Sequence, residues 1–334
     1  MNDRGRMPRI GLFYDFRNPN APPFEDFYAE VFDQIAWADG LGFESLWVSG
    51  HHFTEDGYIP SPLLALSHIA ARAPTMRLAT NLMVPGLYDP IRVAEDCAVL
   101  SIISGGRFDL GCAIGYREVE YETFGRNLKQ RPSLFEEFVT IARLAWAGES
   151  VEFNGKRFDL PDVRVTPVPT RPPAIFVGAV TAPAIERAAR IGDGFLSTRN
   201  EHQQLYLEAL ARLGKDPADG RIAALQWLVV AEDPERTWAQ IGDHAVYQLN
   251  ANILTGAYPG PPLTERDDAL ASSGRGRYVL LDAPGAIAHL CELAEECPQI
   301  EDIHIFAQIP GEPLESGTQR LEYIARNVLP ELRG

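Results

Sequence analysis

The feature that most constrains the fold of this chain is the regular alternation of short apolar segments with longer amphipathic ones. Eight segments have the length and composition of buried strands, and helical patterns occur between them. Eight such strands in 334 residues favour a closed (β/α)8 TIM barrel over an open doubly wound sheet. The predicted strands are residues 9–13, 45–49, 77–84, 108–113, 174–177, 194–198, 225–231 and 302–306. The predicted helices begin at Phe24 and then cover residues 62–71, 90–104, 134–146, 182–191, 203–213, 284–295 and 314–329.

Two segments interrupt the alternation and are predicted as insertions. Residues 151–158 (VEFNGKRF) have the pattern of a hairpin with Asn154-Gly155 as its two-residue turn. Residues 256–276 are dense in Gly, Pro and charge, which predicts a long loop or a partly mobile lid. Because no repeat or low-complexity linker divides the chain, we expect a single domain over residues 1–334.

The strongly acidic charge limits the kinds of partner. Lysine and arginine number 30 and aspartate and glutamate 46, which gives a formal net charge of −16. This charge repels phosphate backbones and anionic surfaces, so we expect neither nucleic acid nor membrane as a partner. A phosphate-bearing ligand would need local donors such as helix N-termini.

The spacing of the cysteines and the N-terminal sequence are used to predict the cellular compartment. The four cysteines have neither CxxC pairing nor metal-ligand spacing, and the N-terminus lacks the apolar run of a signal peptide. No stretch approaches the roughly 20 apolar residues that span a bilayer. We therefore expect a soluble, cytoplasmic protein. No metal site is predicted, since the HExxH motif is absent and the histidines other than His51 and His52 are scattered without ligand spacing.

Two adjacent histidines, His51 and His52, follow the second predicted strand. Functional side chains of a TIM barrel come from the carboxyl ends of its strands and the loops after them. Imidazole titrates nearest neutral pH, so this pair is a candidate general acid or base. Adjacent side chains on an extended segment point to opposite sides, and we expect at most one to face a ligand. The alternative is a hydrogen-bonded structural histidine.

Further candidates lie near the ends of the next three predicted strands. They are Asn81 toward the end of the third, Ala113 and Tyr116 at and after the end of the fourth, and Gly178, Ala179, Val180 and Thr181 after the fifth. Thr181 is a plausible N-cap of the helix that follows, and the backbone N–H groups of this turn could hold a phosphate. Equally, the small residues could serve only to make the turn tight.

Three stretches together resemble the bacterial-luciferase-like flavin monooxygenase family along nearly the whole chain. The second strand and its loop read LGFESLWVSGHHFTEDG. The third helix and fourth strand read DPIRVAEDCAVLSIISGGRFDLGCAIGY. The fifth strand and its helix read AIFVGAVTAPAIERAARIGDGF. The family resemblance implies a (β/α)8 barrel with FMN or a deazaflavin as cofactor.

The resemblance also implies roles for individual residues. His51 matches the family's catalytic position, with His52 more in a supporting role. The cofactor contacts carried over are Asn81, Ala113, Tyr116, Arg131, Gly178, Ala179, Val180 and Thr181. Asn81-Leu82 falls where family members often have a non-prolyl cis peptide, and Arg131 could supply a positive charge toward the phosphate. Asp89 departs from the family pattern, where His is common before the proline.

The leading hypothesis from the resemblance is a monooxygenase that uses reduced FMN and O2 to oxygenate a small apolar substrate. A separate flavin reductase would supply the reduced flavin. One alternative is hydride transfer with a deazaflavin coenzyme, and another is a noncatalytic luciferase-like subunit. The resemblance further implies a homodimer through the early barrel helices.

Overall fold

The computed structural model describes residues 7–20 and 23–333 of the chain. Within them, eight parallel strands close into a barrel in the order β1-β12-β9-β8-β7-β4-β3-β2. This is the (β/α)8 fold predicted from the sequence. The strands are β1 (Arg9–Tyr14), β2 (Ser45–Val48), β3 (Arg77–Thr80), β4 (Phe108–Cys112), β5 (Val151–Asn154), β6 (Asp159–Val163), β7 (Ile175–Gly178), β8 (Gly194–Ser197), β9 (Ile222–Gln226), β10 (Leu228–Val230), β11 (Val279–Leu281) and β12 (Ile300–Phe306).

Helices follow the barrel strands, and most begin with a proline in the first turn or a capping side chain. Asp89, for example, caps the helix that opens at Pro90, because its carboxylate accepts from the N–H groups of Ile91 and Arg92 (both 3.0 Å). The helices are α1 (Phe24–Leu41), α2 (Pro62–Arg72), α3 (Pro90–Ile103), α4 (Glu118–Thr123), α5 (Arg131–Ala147), α6 (Ala182–Ile191), α7 (Asn200–Arg212), α8 (Pro234–Leu254), α9 (Ala283–Glu296), α10 (Leu314–Asn327) and α11 (Leu329–Arg333). None of the described helices is long and apolar enough to cross a membrane.

By their internal contacts the residues group into two compact units. The first unit comprises the chain up to Trp47, the segment Thr54–Ile59 and everything from Arg221 onward. The second unit comprises Val48–Phe53 and Pro60–Gly220. The expectation of a single domain stays a prediction.

The strands of the first unit carry a polar cluster on their inner face. Asp302 of β12 accepts hydrogen bonds from Ser45 Oγ (2.9 Å) and Trp47 Nε1 (2.8 Å) of β2, a strand that lies beyond β1. Gly11 of β1 leaves room for this crossing, because a Cβ there would overlap Ser45. Side chains that meet across an intervening strand lie on the concave side of a barrel sheet. Asp302 is therefore inside the barrel, and His304, two residues further on, shares its face.

The predicted seventh strand was wrong in its position. Residues 225–231 were expected to form it, but the barrel strand is β9, Ile222–Gln226. Leu228–Val230 instead pairs in parallel with Val279–Leu281 as a separate two-stranded sheet. The apolar run continues through both strands, so hydrophobicity alone does not mark where the first one ends.

Helix α8 was not predicted at all. It buries the polar Gln248 and the small Gly242 beside Trp238 and Ile241, so its inward face is not uniformly apolar. The predicted long loop at residues 256–276 does lack strands and α-helices, but it contains short 3-10 turns at Arg266–Ala269 and Ala271–Ser273.

The predicted hairpin is present, but its turn is longer than expected. Asn154 pairs with Asp159, so the loop is residues 155–158 and not the two residues Asn154-Gly155. The carboxylate of Glu137 on α5 accepts from the N–H groups of Lys156 (2.8 Å) and Phe158 (3.0 Å). A carboxylate that satisfies these loop donors supports the wider turn.

Candidate active site

His51 lies just after β2 and pairs with a buried carboxylate. Its Nδ1 is 2.9 Å from Oε1 of Glu120, which lies on the short helix α4 after the fourth barrel strand. Glu120 is 1% exposed, whereas His51 is only partly buried. An acceptor at Nδ1 favours the tautomer that carries hydrogen there, which leaves Nε2 as the basic nitrogen.

The same carboxylate oxygen holds the next residue as well. The backbone N–H of His52 donates to Glu120 Oε1 at 3.0 Å, and Arg117 Nη1 donates to it at 2.9 Å. Burial alone raises the pKa of Glu120, but the hydrogen bond and charge of His51, the His52 N–H and the Arg117 charge together hold that pKa below its ordinary value. Glu120 is therefore an anion at neutral pH, and its Oε2 is buried with no partner among the described residues.

Arg117 also fixes the backbone that follows the histidines. It donates from Nη1 to the carbonyl of His52 and from Nη2 to that of Phe53 at 3.5 Å. Phe53 has a φ of 57°, a left-handed conformation that a bulky side chain rarely adopts without support. Arg117 thus balances the charge of Glu120 and holds an unfavourable stretch of chain in place.

The His52 ring points to different partners from the His51 ring. Its Nε2 bonds with the hydroxyl of Tyr88, and its face meets Phe124 edge-on at 4.8 Å between ring centroids. Burial lowers the pKa of His52, against the opposing charge of Glu120. His52 is therefore neutral at physiological pH. This geometry agrees with the expectation that the two side chains diverge.

Tyr116, a predicted cofactor contact, lies on the open side of His51. Its hydroxyl is 3.3 Å from His51 Nε2, and the two rings meet edge-on at 5.6 Å. Tyr116 is exposed, so the nitrogen of His51 that faces it is also the one nearest to solvent. The arrangement places a proton acceptor at the surface of the site and its carboxylate support beneath.

Three other predicted cofactor residues lie close together at the ends of β3, β4 and β7. The peptide bond Asn81-Leu82 is cis, as the resemblance implies. A Cβ at Gly178 would overlap the end of the Leu82 side chain, so a larger residue there would require Leu82 to shift. The N–H of Ala113 donates to the Met83 carbonyl at 3.0 Å. Leu82 and Met83 therefore connect the ends of the three strands.

The turn from Ala179 to Thr181 leads directly into α6. Thr181 is the N-cap residue, as predicted, but its side chain makes no capping hydrogen bond. Val180 is 69% exposed. Pro183 has no N–H, and the first N–H groups of a helix have no partner within it. The exposed residues of this turn and the helix dipole suit a phosphate, so the strand ends and this turn fit a flavin-type cofactor.

Arg131 opens α5 and is occupied within its own turn. Its Nη1 donates to the carbonyl of Leu128 at 3.2 Å. Burial raises the pKa of Tyr121, and the charge of Arg131 opposes that shift. The Nε atom is buried with no partner in the described part of the chain. Its predicted role toward a phosphate stays a prediction.

Sequence reasoning missed Glu120, Arg117 and Tyr88. Glu120 and Arg117 follow Tyr116 within one short stretch after the fourth barrel strand, where the barrel rule places functional groups. A buried carboxylate beside an arginine is a common feature of functional sites, but nothing in a single sequence shows burial.

Comparison with known proteins places these residues in a family context. A family model described as luciferase-like monooxygenase matches residues 8–289. An F420-dependent glucose-6-phosphate dehydrogenase of Intrasporangium calvum is 26% identical over 327 residues, covering 91% of this chain and 95% of that protein. An F420-dependent hydroxymycolic acid dehydrogenase of Mycobacterium tuberculosis is 26% identical over 313 residues, covering 89% and 82%. Three further curated relatives are matched by this chain over only 55% to 60% of their own length.

A solved structure gives the same fold. Monooxygenase RslO1 from Streptomyces bottropensis superposes with a TM-score of 0.83 at 23% identity, over 97% of this chain and 99% of that one. At this identity the likeness is one of fold.

Proposed function

The chain belongs to the luciferase-like monooxygenase family and is an oxidoreductase, and we propose that it transfers hydride between a deazaflavin coenzyme and an alcohol or carbonyl substrate. The observation that carries this proposal is the His51–Glu120 pair, a partly exposed imidazole backed by a buried carboxylate at 2.9 Å. Such a pair suits removal of the proton from an alcohol. The names of the F420-dependent relatives support the choice of coenzyme.

The residues that would hold the coenzyme are those at the ends of β3, β4 and β7. The N–H groups around Val180 and Thr181 would bind its phosphate, and the backbone at Asn81 and Gly178 would form the surface for its rings. When bound, the deazaflavin supplies or accepts the hydride. The net charge of −16 opposes an anionic coenzyme, so these local donors must carry its phosphate.

His51 performs the proton step in this proposal. Its Nε2 accepts the hydroxyl proton of the alcohol as the carbonyl forms, and returns a proton to the carbonyl oxygen in the reverse direction. Glu120 accepts the Nδ1–H bond and stabilises the imidazolium as it forms. The hydrogen bond and charge of His51, the His52 N–H and the Arg117 charge keep Glu120 ionised. The carboxylate therefore orients His51 and does not take up the proton itself.

Oxygenation with reduced FMN and O2 is the second candidate. The similarity in fold to a protein named as a monooxygenase favours it. The same His51 would then exchange a proton with the oxygenated reactants, and a separate reductase would supply reduced FMN. The noncatalytic alternative is disfavoured by family membership and by the intact His51–Glu120 pair.

The predicted homodimer also belongs to this proposal. Helices α2 and α3 expose apolar side chains that are costly to leave in water: Leu64, Val99, Ile102 and Ile103. A second copy of the chain would cover them. Sedimentation that reports only monomer at micromolar concentration would contradict this part of the proposal.

The decisive experiment compares the two coenzymes on the purified protein. Titration with F420 and with FMN, followed by fluorescence, measures which one binds. The protein is then incubated with oxidised F420 and a panel of secondary alcohols under nitrogen, and the loss of F420 absorbance is recorded. We expect F420 to bind more tightly and to be reduced. Binding of reduced FMN with oxygen-dependent turnover, and no response to F420, would overturn the proposal in favour of the second candidate.

A further inference from the structure

The aromatic layer at the end of the barrel strands in the first unit contains one unusual polar atom. Phe13 of β1 and Phe306 of β12 are paired in register, and their rings meet edge-on at 4.7 Å. Trp227, the residue after β9, lies 4.5 Å from the Phe306 ring. The Nε1–H of Trp227 is buried and has no partner among the described residues.

We propose that Trp227 donates a hydrogen bond from this nitrogen to an oxygen atom of a flat, uncharged, apolar ligand ring. This ligand site within the first unit goes beyond the proposed function and does not depend on it. Phe13 and Phe306 would pack against the ring, while Trp227 would recognise its single oxygen.

The layer faces the inside of the barrel. His304 and Phe306 are two residues apart on β12, so their side chains lie on the same side of the sheet. That side carries Asp302, whose contacts with β2 across β1 place it on the concave face. Phe306 is the last residue of β12, so it and its neighbours form the layer nearest the strand ends. Ligands of TIM barrels bind at that end.

The indole N–H without a partner among the described residues distinguishes Trp227 from the other buried tryptophans. The indole nitrogens of Trp47, Trp146 and Trp238 donate to Asp302 (2.8 Å), the Ala94 carbonyl (2.9 Å) and Asp267 (3.2 Å) respectively. Trp37 is partly exposed and can bond to water. Buried donors are almost always paired in native proteins, so an unpaired one at a ligand-binding face points to an acceptor that comes with the ligand.

The surroundings define the chemistry of that ligand. Trp227 is enclosed by the rings of Phe306, Tyr278 (5.2 Å) and Tyr258 (6.4 Å). The Tyr278 hydroxyl is already committed to Gln248 Oε1. An aromatic enclosure with one donor makes a charged group costly and a neutral ketone, ether or hydroxyl oxygen favourable.

Tyr258 belongs to the loop that begins at Gly256, and Arg277 packs over its ring at 4.2 Å. This part of the loop therefore contacts the edge of the proposed subsite.

The experiment uses 1-tetralone, a flat bicyclic ketone, and tetralin, the same ring system without the oxygen. The full-length protein is labelled with ¹⁵N-tryptophan, and its five indole N–H signals are recorded during titration with each compound. Trp227→Phe identifies the Trp227 signal by its loss. We expect 1-tetralone to move that signal downfield and tetralin to leave it nearly unmoved.

Affinity gives a second measurement. One neutral hydrogen bond to a substrate is worth roughly a three- to tenfold change in Kd, so Trp227→Phe should bind 1-tetralone about that much more weakly and tetralin equally well. Trp37→Phe is the matched control and should bind both compounds as the unmodified protein does.

Equal binding of the two compounds, an unmoved Trp227 signal, or no binding of either would overturn the proposal. Titration of Trp227→Phe with F420 separates this result from failure of the proposed function. If that variant binds F420 normally, a negative 1-tetralone result concerns the subsite alone. If neither protein binds F420, the coenzyme assignment fails, while the indole signals still test the subsite.

Discussion

Among the residues that the structure describes, the histidine–carboxylate pairs of His51 and His304 differ in what surrounds the histidine. In the second unit, His51 Nδ1 lies 2.9 Å from Glu120 Oε1, and its side chain is 19% exposed. In the first unit, His304 Nδ1 lies 3.4 Å from Asp302 Oδ1, and its side chain is 0% exposed. The His304 ring is stacked on Trp47 at 4.6 Å.

This difference shows that the pair itself does not make a catalytic group. Both carboxylates are buried, and other hydrogen bonds and charges hold the pKa of each below its ordinary value. Only His51 has an outer nitrogen that a substrate could reach. We therefore interpret the His304 pair as a packed element of the barrel and the His51 pair as the acid–base group.

The largest expected effect separates the two histidines by activity. His51→Ala removes the proton acceptor and should lower kcat/KM about 10²- to 10⁴-fold, with little change in thermal midpoint because the side chain is partly exposed. His304→Gln is the matched control and should lower the thermal midpoint while leaving kcat within a few-fold. Steady-state kinetics and thermal unfolding of both variants provide the check. Full activity in His51→Ala would remove the basis of the comparison.

Variants of the two carboxylates should show the same contrast between loss of activity and loss of stability, with smaller effects. Glu120→Gln keeps the shape but loses the charge that stabilises the imidazolium, so we expect kcat to fall about 10- to 100-fold. Asp302→Asn should instead reduce the free energy of unfolding by about 1–3 kcal/mol, because buried donors lose a charged acceptor. Kinetics and denaturant unfolding of the two variants test this. A Glu120→Gln protein that loses only stability would place both pairs in the structural class.

The smallest expected effect concerns pH. Burial lowers the pKa of His304, against the opposing effect of Asp302, so the folded state keeps this ring neutral. The stability it contributes is fully present above the unfolded pKa, near 6.5, and is lost as pH falls from there toward the folded pKa. Between pH 7.5 and 5.5 the unmodified protein should lose more stability than His304→Gln, by at most about 1.4 kcal/mol. Urea unfolding at both pH values measures this, and equal losses would contradict it.

The sequence predicts those parts of the fold that are encoded by residues close together in the chain. Most barrel strands were predictable because each is a local run of apolar residues. The seventh was misplaced because, apart from Gln226, apolar residues continue from β9 through Trp227 into β10. Helix α8 was not predicted because its buried Gln248 interrupts the apolar pattern. Its buried side faces other polar groups, and no local pattern records them.

The residues of the candidate site also differ in whether a local sequence signal marks them. His51 could be found because it directly follows a strand and matches a family motif. Glu120 lies 69 positions further along the chain and Tyr88 lies 36 positions after His52, so their contacts arise only when the barrel folds. A single sequence contains no signal that pairs such distant residues.

The location of both members of the acid–base pair within the second unit has a consequence for evolution. His51 and Glu120 are inherited on one stretch of gene, whereas Trp227 and Phe306 are encoded after Gly220. Recombination downstream of that glycine would exchange Trp227 and Phe306 and leave Phe13 and the proton-transfer residues unchanged. A lineage can in this way alter the aromatic layer without reassembling its acid–base pair.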